Sequence, residues 1–120
     1  MTTSRHEECK PFPTKDGSEI RELMHPAVHG NRAQSLAEAR VTIGARTRAH
    51  RHRLSEELYH VLEGEGLLHR DGETVQLCPG DTACIPPGTV HWIENTGAGP
   101  LRFLCSCSPA YSHDDTELVP

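Results

Sequence analysis

The chain has 120 residues, with 17 acidic side chains against 12 basic ones and a formal net charge of −5 when the histidines are neutral. Apolar residues make up 35% and charged residues 24%, a balance typical of a single globular domain and too apolar for disorder. The acidic balance argues against nucleic acid as a partner, because phosphate binding needs a basic surface. No apolar run approaches the ~18 residues of a membrane helix, so we expect no membrane association.

Residues 1–35 are expected to form an irregular N-terminal leader. Pro11, Pro13 and the Asp16-Gly17 pair interrupt regular structure, and only Glu19–Met24 is a short strand candidate. Nothing at the start of the chain resembles a secretory signal. The five cysteines are an odd number, which does not fit a complete disulfide framework. We therefore expect a cytoplasmic protein with reduced thiols.

Residues 36–107 are expected to form an all-β barrel or sandwich, because short segments rich in β-formers alternate there with Gly, Pro and Asp. Asp71-Gly72 predicts a two-residue hairpin turn. The predicted strands are Ala37–Ile43, Arg48–His52, Glu57–Leu62, Gly66–Arg70, Glu73–Leu77, Thr82–Ile85, Val90–Glu94 and Leu101–Cys107. The polar tail, 108–120, either caps the barrel mouth, reaches a second subunit or is disordered.

Histidines and one carboxylate form the candidate metal site. His50 and His52 are two residues apart, which on a strand sends both side chains to the same face. Glu57 can face this pair from the next strand, and His91 can join them inside a closed barrel. Glu56 is a rival carboxylate, but the alternation that turns Tyr59 inward favours Glu57.

The spacing of these residues resembles the two sequence motifs of the cupin family. In both motifs glycines alternate with the candidate ligands at the family's spacing, and only fifteen residues separate one motif from the other. The first motif consists of Gly44, His50, His52, Glu57 and Gly64. The second motif consists of Gly80, Pro86, Gly88, His91 and Asn95. So short a spacer resembles that of small single-domain cupins.

The resemblance implies a jelly-roll β-barrel that is usually a homodimer. It also implies one divalent metal per chain, held by His50, His52, Glu57 and His91. Three imidazoles and one carboxylate suit Fe, Mn, Co, Ni, Cu or Zn and disfavour Ca. The sequence does not distinguish among these transition metals.

Further residues are candidates for contact with a small-molecule substrate. Tyr59 shares the face of Glu57, so it is either a catalytic proton donor or a core aromatic residue. Arg40 and Arg48 lead towards the ligand strand, where they either clamp an anionic group or remain solvated. Cys105 and Cys107 share one face of the last strand, and either the barrel interior or a dimer contact can accommodate them.

The expected function is that of a metal-dependent enzyme acting on a small oxygen-rich or anionic molecule bound through two oxygens. Dioxygenase chemistry and isomerase or lyase chemistry both fit such a site. The alternative is a non-catalytic module that binds or senses a small ligand or a metal.

Overall fold

The computed structural model describes all residues, 1–120, and is dominated by β-strands. The strands are β1 (Phe12–Pro13), β2 (Glu19–Met24), β3 (Ser35–Val41), β4 (His50–His52), β5 (Glu56–Glu63), β6 (Gly66–Arg70), β7 (Glu73–Leu77), β8 (Thr82–Ile85), β9 (His91–Asn95), β10 (Leu101–Ser108) and β11 (Thr116–Leu118). The helical segments are α1 (Pro26–His29) and 3-10 turns at His6–Glu8 and His113–Asp115. None of them has the length and hydropathy to cross a membrane.

The strands form two antiparallel sheets. One sheet has the order β1-β2-β3-β10-β5-β8 and the other the order β11-β4-β9-β6-β7. This arrangement confirms the expected all-β jelly roll. Strands β2, β6, β7 and β8 have the predicted bounds, whereas the other predicted strands differ by one or two residues at their ends.

The hairpin between β6 and β7 follows the predicted turn chemistry. Asp71 and Gly72 have φ values of 46° and 81°, the left-handed conformations that a two-residue turn of this kind requires. Gly66 pairs with Leu77 at the far end of the hairpin.

Both terminal segments belong to the sheets. In the leader, β2 pairs with β3, with Ile20 opposite Ala39. In the tail, β11 pairs with β4, with Thr116 opposite His52. Residues before 36 and after 107 therefore help to build the walls around the barrel interior, and the tail is ordered as a strand.

The core lies between the two sheets. Along β10 the buried residues alternate with half-buried ones, which places Phe103 and Cys105 inside the barrel. The buried apolar cluster comprises Ile20, Ala37, Ala39, Val41, Tyr59, Val61, Leu68, Leu77, Ile85, Ile93, Leu101, Phe103 and Cys105. This packing covers one end of the interior and leaves polar side chains at the other.

Gly64 is the position where the fold most clearly requires glycine. Its φ is +84°, and a Cβ there would collide with the Pro100 carbonyl oxygen and lie 3.0 Å from Leu101 Cα. Gly72 has a similar φ but open space around it. A substitution at either glycine would cause backbone strain, but only a substitution at Gly64 would also cause a steric collision.

We expect Gly64→Ala to lower the free energy of unfolding by about 2–4 kcal/mol, because strain and overpacking add. Gly72→Ala is the matched control and should cost about 1 kcal/mol. Urea unfolding of both variants measures the difference, and equal losses would contradict the steric argument.

Candidate metal centre

Four predicted ligands meet at one point of the barrel interior. His50 and His52 lie on β4, His91 begins the neighbouring β9, and Glu57 reaches them from β5 in the other sheet. His50 and His91 are direct partners across the two strands. One ligand atom from each of the four side chains lies within 4.8 Å of the others, and all four residues are buried. These four side chains could hold a metal ion.

Backbone carbonyl groups orient two of the three imidazole rings. His50 Nδ1 lies 2.7 Å from the Arg48 carbonyl oxygen, and His91 Nδ1 lies 2.9 Å from that of Thr89. A carbonyl oxygen only accepts hydrogen bonds, so each Nδ1 carries the proton. Each ring is therefore fixed with its Nε2 towards the cluster.

The third ring is oriented by the C-terminal strand. His52 Nδ1 lies 2.9 Å from Thr116 Oγ1, and the Thr116 hydroxyl donates to the Ser112 carbonyl oxygen at 2.8 Å. Since that hydroxyl hydrogen is already used, Oγ1 accepts from His52 Nδ1–H. The sequence analysis did not identify Thr116, because nothing near it in the chain indicates a partner 64 positions away.

Glu57 is held from both sides of its carboxylate. Oε1 lies 3.1 Å from His52 Nε2 and 3.3 Å from His91 Nε2. Oε2 accepts from the Cys107 thiol at 3.3 Å, which is possible because the two residues are opposite each other on β5 and β10. Burial alone would raise the pKa of Glu57, but His52 and His91 outweigh it and hold that pKa well below its usual range. The carboxylate is therefore negatively charged.

Other titratable groups respond to the same environment. Burial and the nearby His91 ring lower the pKa of His50, which favours the neutral ring. Burial, together with Glu57, raises the pKa of the Cys107 thiol well above its ordinary value. Cys107 is thus a thiol that donates to Glu57, and it faces the barrel interior.

The surroundings of the His91 side chain indicate whether these residues fit a metal ion. The side chain is fully buried, and its Nε2, although 3.3 Å from Glu57 Oε1, makes no hydrogen bond of acceptable geometry. Unpaired buried polar atoms are rare in proteins and call for an explanation. Three imidazole nitrogens and one carboxylate oxygen form a donor set that transition metals prefer. The residues therefore fit such an ion, which would also give His91 Nε2 a partner.

Tyr59 lies beside the cluster, in the wall of a cavity that opens onto it. Its ring centroid is 5.9 Å from that of His91 and 4.6 Å from that of Phe103. Burial, reinforced by the Glu57 charge, raises the pKa of Tyr59 well above its ordinary value. The phenol is therefore protonated, and it can donate a proton or a hydrogen bond but is a poor base.

Asp16 is a second carboxylate near the cluster, which the sequence analysis read only as part of a turn. Its Oδ2 lies 3.5 Å from His50 Nε2. Its Oδ1 accepts from Thr14 Oγ1, Ser18 Oγ and Ser18 N at 2.6 to 2.9 Å. These three donors fix the carboxylate at the cavity. The Asp16-Gly17 pair was a visible signal for a turn, but not for its docking against β4.

Arg40 and Arg48 do not reach the cavity. Arg40 is exposed on β3, where the alternation turns Ala39 and Val41 inward. Arg48 is also exposed, and only its backbone contributes, through the carbonyl oxygen that holds His50. The prediction that these two residues bind an anionic substrate therefore finds no support in their positions.

We expect Thr116→Val to weaken divalent-metal affinity about 10- to 100-fold, because it removes the oxygen that fixes the His52 ring. Thr116→Ser keeps that oxygen and is the matched control, expected to bind within a few-fold of the unmodified protein. Zn²⁺ competition with a chromophoric chelator measures both. Unchanged affinity in the valine variant would show that the strand does not orient His52.

Comparison with known proteins agrees with this fold and site. The Cupin domain family matches residues 37–107. The uncharacterized protein MJ1618 of Methanocaldococcus jannaschii is 50% identical over 116 residues, which cover 97% of this chain and 93% of the relative. The oxalate-binding protein of Thermotoga maritima is 34% identical over 86 residues, which cover 72% of this chain and 71% of the relative.

A solved structure extends the similarity to three dimensions. The crystal structure of a predicted oxalate decarboxylase from Thermotoga maritima superposes with a TM-score of 0.78 at 28% identity, over 89% of this chain and 98% of that one. Both motifs and all four candidate ligands lie within the residues that the family matches, 37–107. The chain belongs to the cupin family.

Proposed function

We propose that this cupin is a metal-dependent enzyme that acts on a small oxygen-rich molecule. In this proposal His50, His52, Glu57 and His91 hold one divalent transition metal per chain. The observation that carries it is the meeting of three imidazole rings and one carboxylate in the buried interior, with one possible ligand atom from each side chain within 4.8 Å of the others.

The cavity beside the cluster supports catalysis rather than simple storage of an ion. A divalent ion held by four protein ligands would keep positions open for two substrate oxygens and would supply Lewis-acid polarisation. Tyr59 is protonated and faces the same cavity, so it can donate to an oxygen of the bound molecule. Phe103 packs against the Tyr59 ring and holds it in place.

These residues bear on one feature of the reaction class, which is the transfer of a proton. A neutral phenol near a chelated substrate favours isomerase or lyase chemistry, in which a proton moves to or from a substrate oxygen. Dioxygenase chemistry remains the second candidate for the same ligand set. The relative named for oxalate binding supports a third candidate, a module that binds its ligand without turnover.

The fold also bears on where and how the protein works. All five cysteines are free, which suits the reducing cytoplasm that we propose as its location. Homodimerisation, as the family resemblance implies, is part of the same proposal, since a second copy would cover exposed apolar side chains such as Leu58 and Leu62.

The first test is the metal content of protein purified without chelators. We expect about one divalent transition metal per chain by elemental analysis, and its loss in His91→Gln. The matched control is His60→Gln, because His60 lies outside the cluster and bonds Thr82 Oγ1 at 2.8 Å. Absence of bound metal in the unmodified protein, even after reconstitution, would refute the proposal.

Tyr59→Phe distinguishes an enzyme from a binding module. We expect turnover to fall about 10²- to 10⁴-fold with little change in ligand affinity, because only the proton donor is lost. Tyr111→Phe is the comparison variant, because Tyr111 lines the same cavity but its hydroxyl lies 3.1 Å from His113 Nδ1; a fall in turnover confined to Tyr59→Phe assigns the proton donor. Substrates for the assay come from an oxygen-uptake screen if the metal is Fe, and from sugars and keto acids if it is Mn, Ni or Zn. Unchanged turnover in Tyr59→Phe would remove Tyr59 from the mechanism.

A further inference from the structure

The charge of the cavity wall restricts what the metal centre can bind. Three carboxylate side chains line the cavity, those of Asp16, Glu22 and Glu57, and no lysine or arginine does. A site built for an anionic substrate normally supplies a cationic clamp, because a buried negative charge needs a partner. The wall of this cavity instead carries acidic side chains and lacks a cationic clamp.

Glu22 occupies an inward position of β2. It is opposite Ala37 in the sheet, two residues beyond Ile20, and all three residues line the cavity. The Glu22 Oε2 atom is buried and has no hydrogen-bond partner. Burial raises the pKa of this carboxyl, and the nearby His25 only partly opposes that effect. An acid on the inner face of a strand, with a free oxygen, is suited to a ligand that donates a hydrogen bond.

Asp16 offers a second free oxygen on the other side of the cluster. Its Oδ1 is saturated by the donors from Thr14 and Ser18, whereas Oδ2 faces the cavity beside His50. The turn is tied to β4 by Arg48 N, which donates to the Asp16 carbonyl oxygen at 2.7 Å. The position of this carboxylate is therefore set before any ligand binds.

Two basic side chains of the leader hydrogen-bond to backbone groups rather than to these acids. His25 Nδ1 accepts from Ala27 N at 3.0 Å, and its Nε2 lies 2.8 Å from the Tyr111 carbonyl oxygen. Lys15 Nζ donates instead to the carbonyl oxygens of His113 and Thr116.

We propose that the cavity selects neutral molecules with adjacent hydroxyl and carbonyl oxygens over dianions such as oxalate, with Asp16 Oδ2 and Glu22 Oε2 accepting hydrogen bonds from the ligand hydroxyl groups. This assignment of substrate class rests on the proposed function, because the two oxygens of the molecule are those that the metal would chelate. A dianion would place two negative charges against a wall that carries three carboxyl side chains and no lysine or arginine, whereas a neutral ligand would not.

This wall bears on ligand preference separately from the four candidate metal ligands. A shared ligand set fixes the chelating geometry, but specificity also depends on the groups that repel the wrong ligand. Asp16 and Glu22 both lie in the leader, before the part of the chain that the family match covers. Ligand preference is therefore encoded outside the shared barrel.

The test uses full-length protein loaded with Co²⁺ and follows binding by visible absorption and calorimetry. The probes are oxalate as the dianion and dihydroxyacetone as the neutral hydroxy ketone. In the Asp16→Asn/Glu22→Gln double variant we expect oxalate to bind at least about tenfold more tightly, because two acidic side chains of the cavity wall are replaced by uncharged amides. Dihydroxyacetone should bind about threefold to tenfold more weakly, since amide groups accept hydrogen bonds less strongly than carboxylates.

The controls distinguish a failure of the proposed function from a failure of the inference about substrate class. Glu56→Gln removes one exposed acid on the outer face of β5 and should leave both affinities unchanged. Co²⁺ uptake is measured in every variant before ligand is added. Failure of the unmodified protein to take up Co²⁺ overturns the proposed function and this inference with it. Normal uptake with oxalate affinity that is unchanged or weaker in the double variant overturns only the inference about substrate class.

Discussion

The orientation of three buried imidazole rings is the constraint on which the rest of this structure depends. Each Nδ1 is held by a hydrogen bond outside the cluster, so each Nε2 faces inward. Such an arrangement has a cost, because buried polar groups are unfavourable unless they are fully paired. The barrel keeps them in place through strand pairing around β4 and β9, and through Glu57 from the opposite sheet. The site is preorganised by its second layer of contacts as much as by the ligands themselves.

The leader and the tail contribute to this preorganisation from opposite ends of the chain. Thr116 sets the His52 ring, whereas Asp16 and Glu22 set the charge of the cavity. Lys15 links the two segments through the carbonyl oxygens of His113 and Thr116. The barrel thus supplies four residues that could hold a metal ion, and the two segments outside the family match add residues that line the cavity beside them.

Sequence reasoning succeeded where the physical signal is local. The alternation in HRH, the Asp71-Gly72 turn and the motif glycines each depend on a few neighbouring residues, and they predicted the ligand cluster and most strands. Asp16, Glu22 and Thr116 could not be found in this way, because their roles come from contacts across the fold. Arg40 and Arg48 illustrate the same limit, since proximity in sequence to β4 did not bring their side chains to the cavity.

The pairing of β11 with β4 also bears on the order of events during folding. Thr116 meets His52 across 64 positions, and Lys15 meets Thr116 across 101. Contacts between such distant residues are slow to form, because a long loop must close before they contribute any stability. His50 and His52 are only two positions apart, so in the unfolded chain both rings would be available to a metal before the Thr116 hydroxyl meets His52. An ion bound there through Nδ1 would have to exchange ligand atoms before the barrel could close around it.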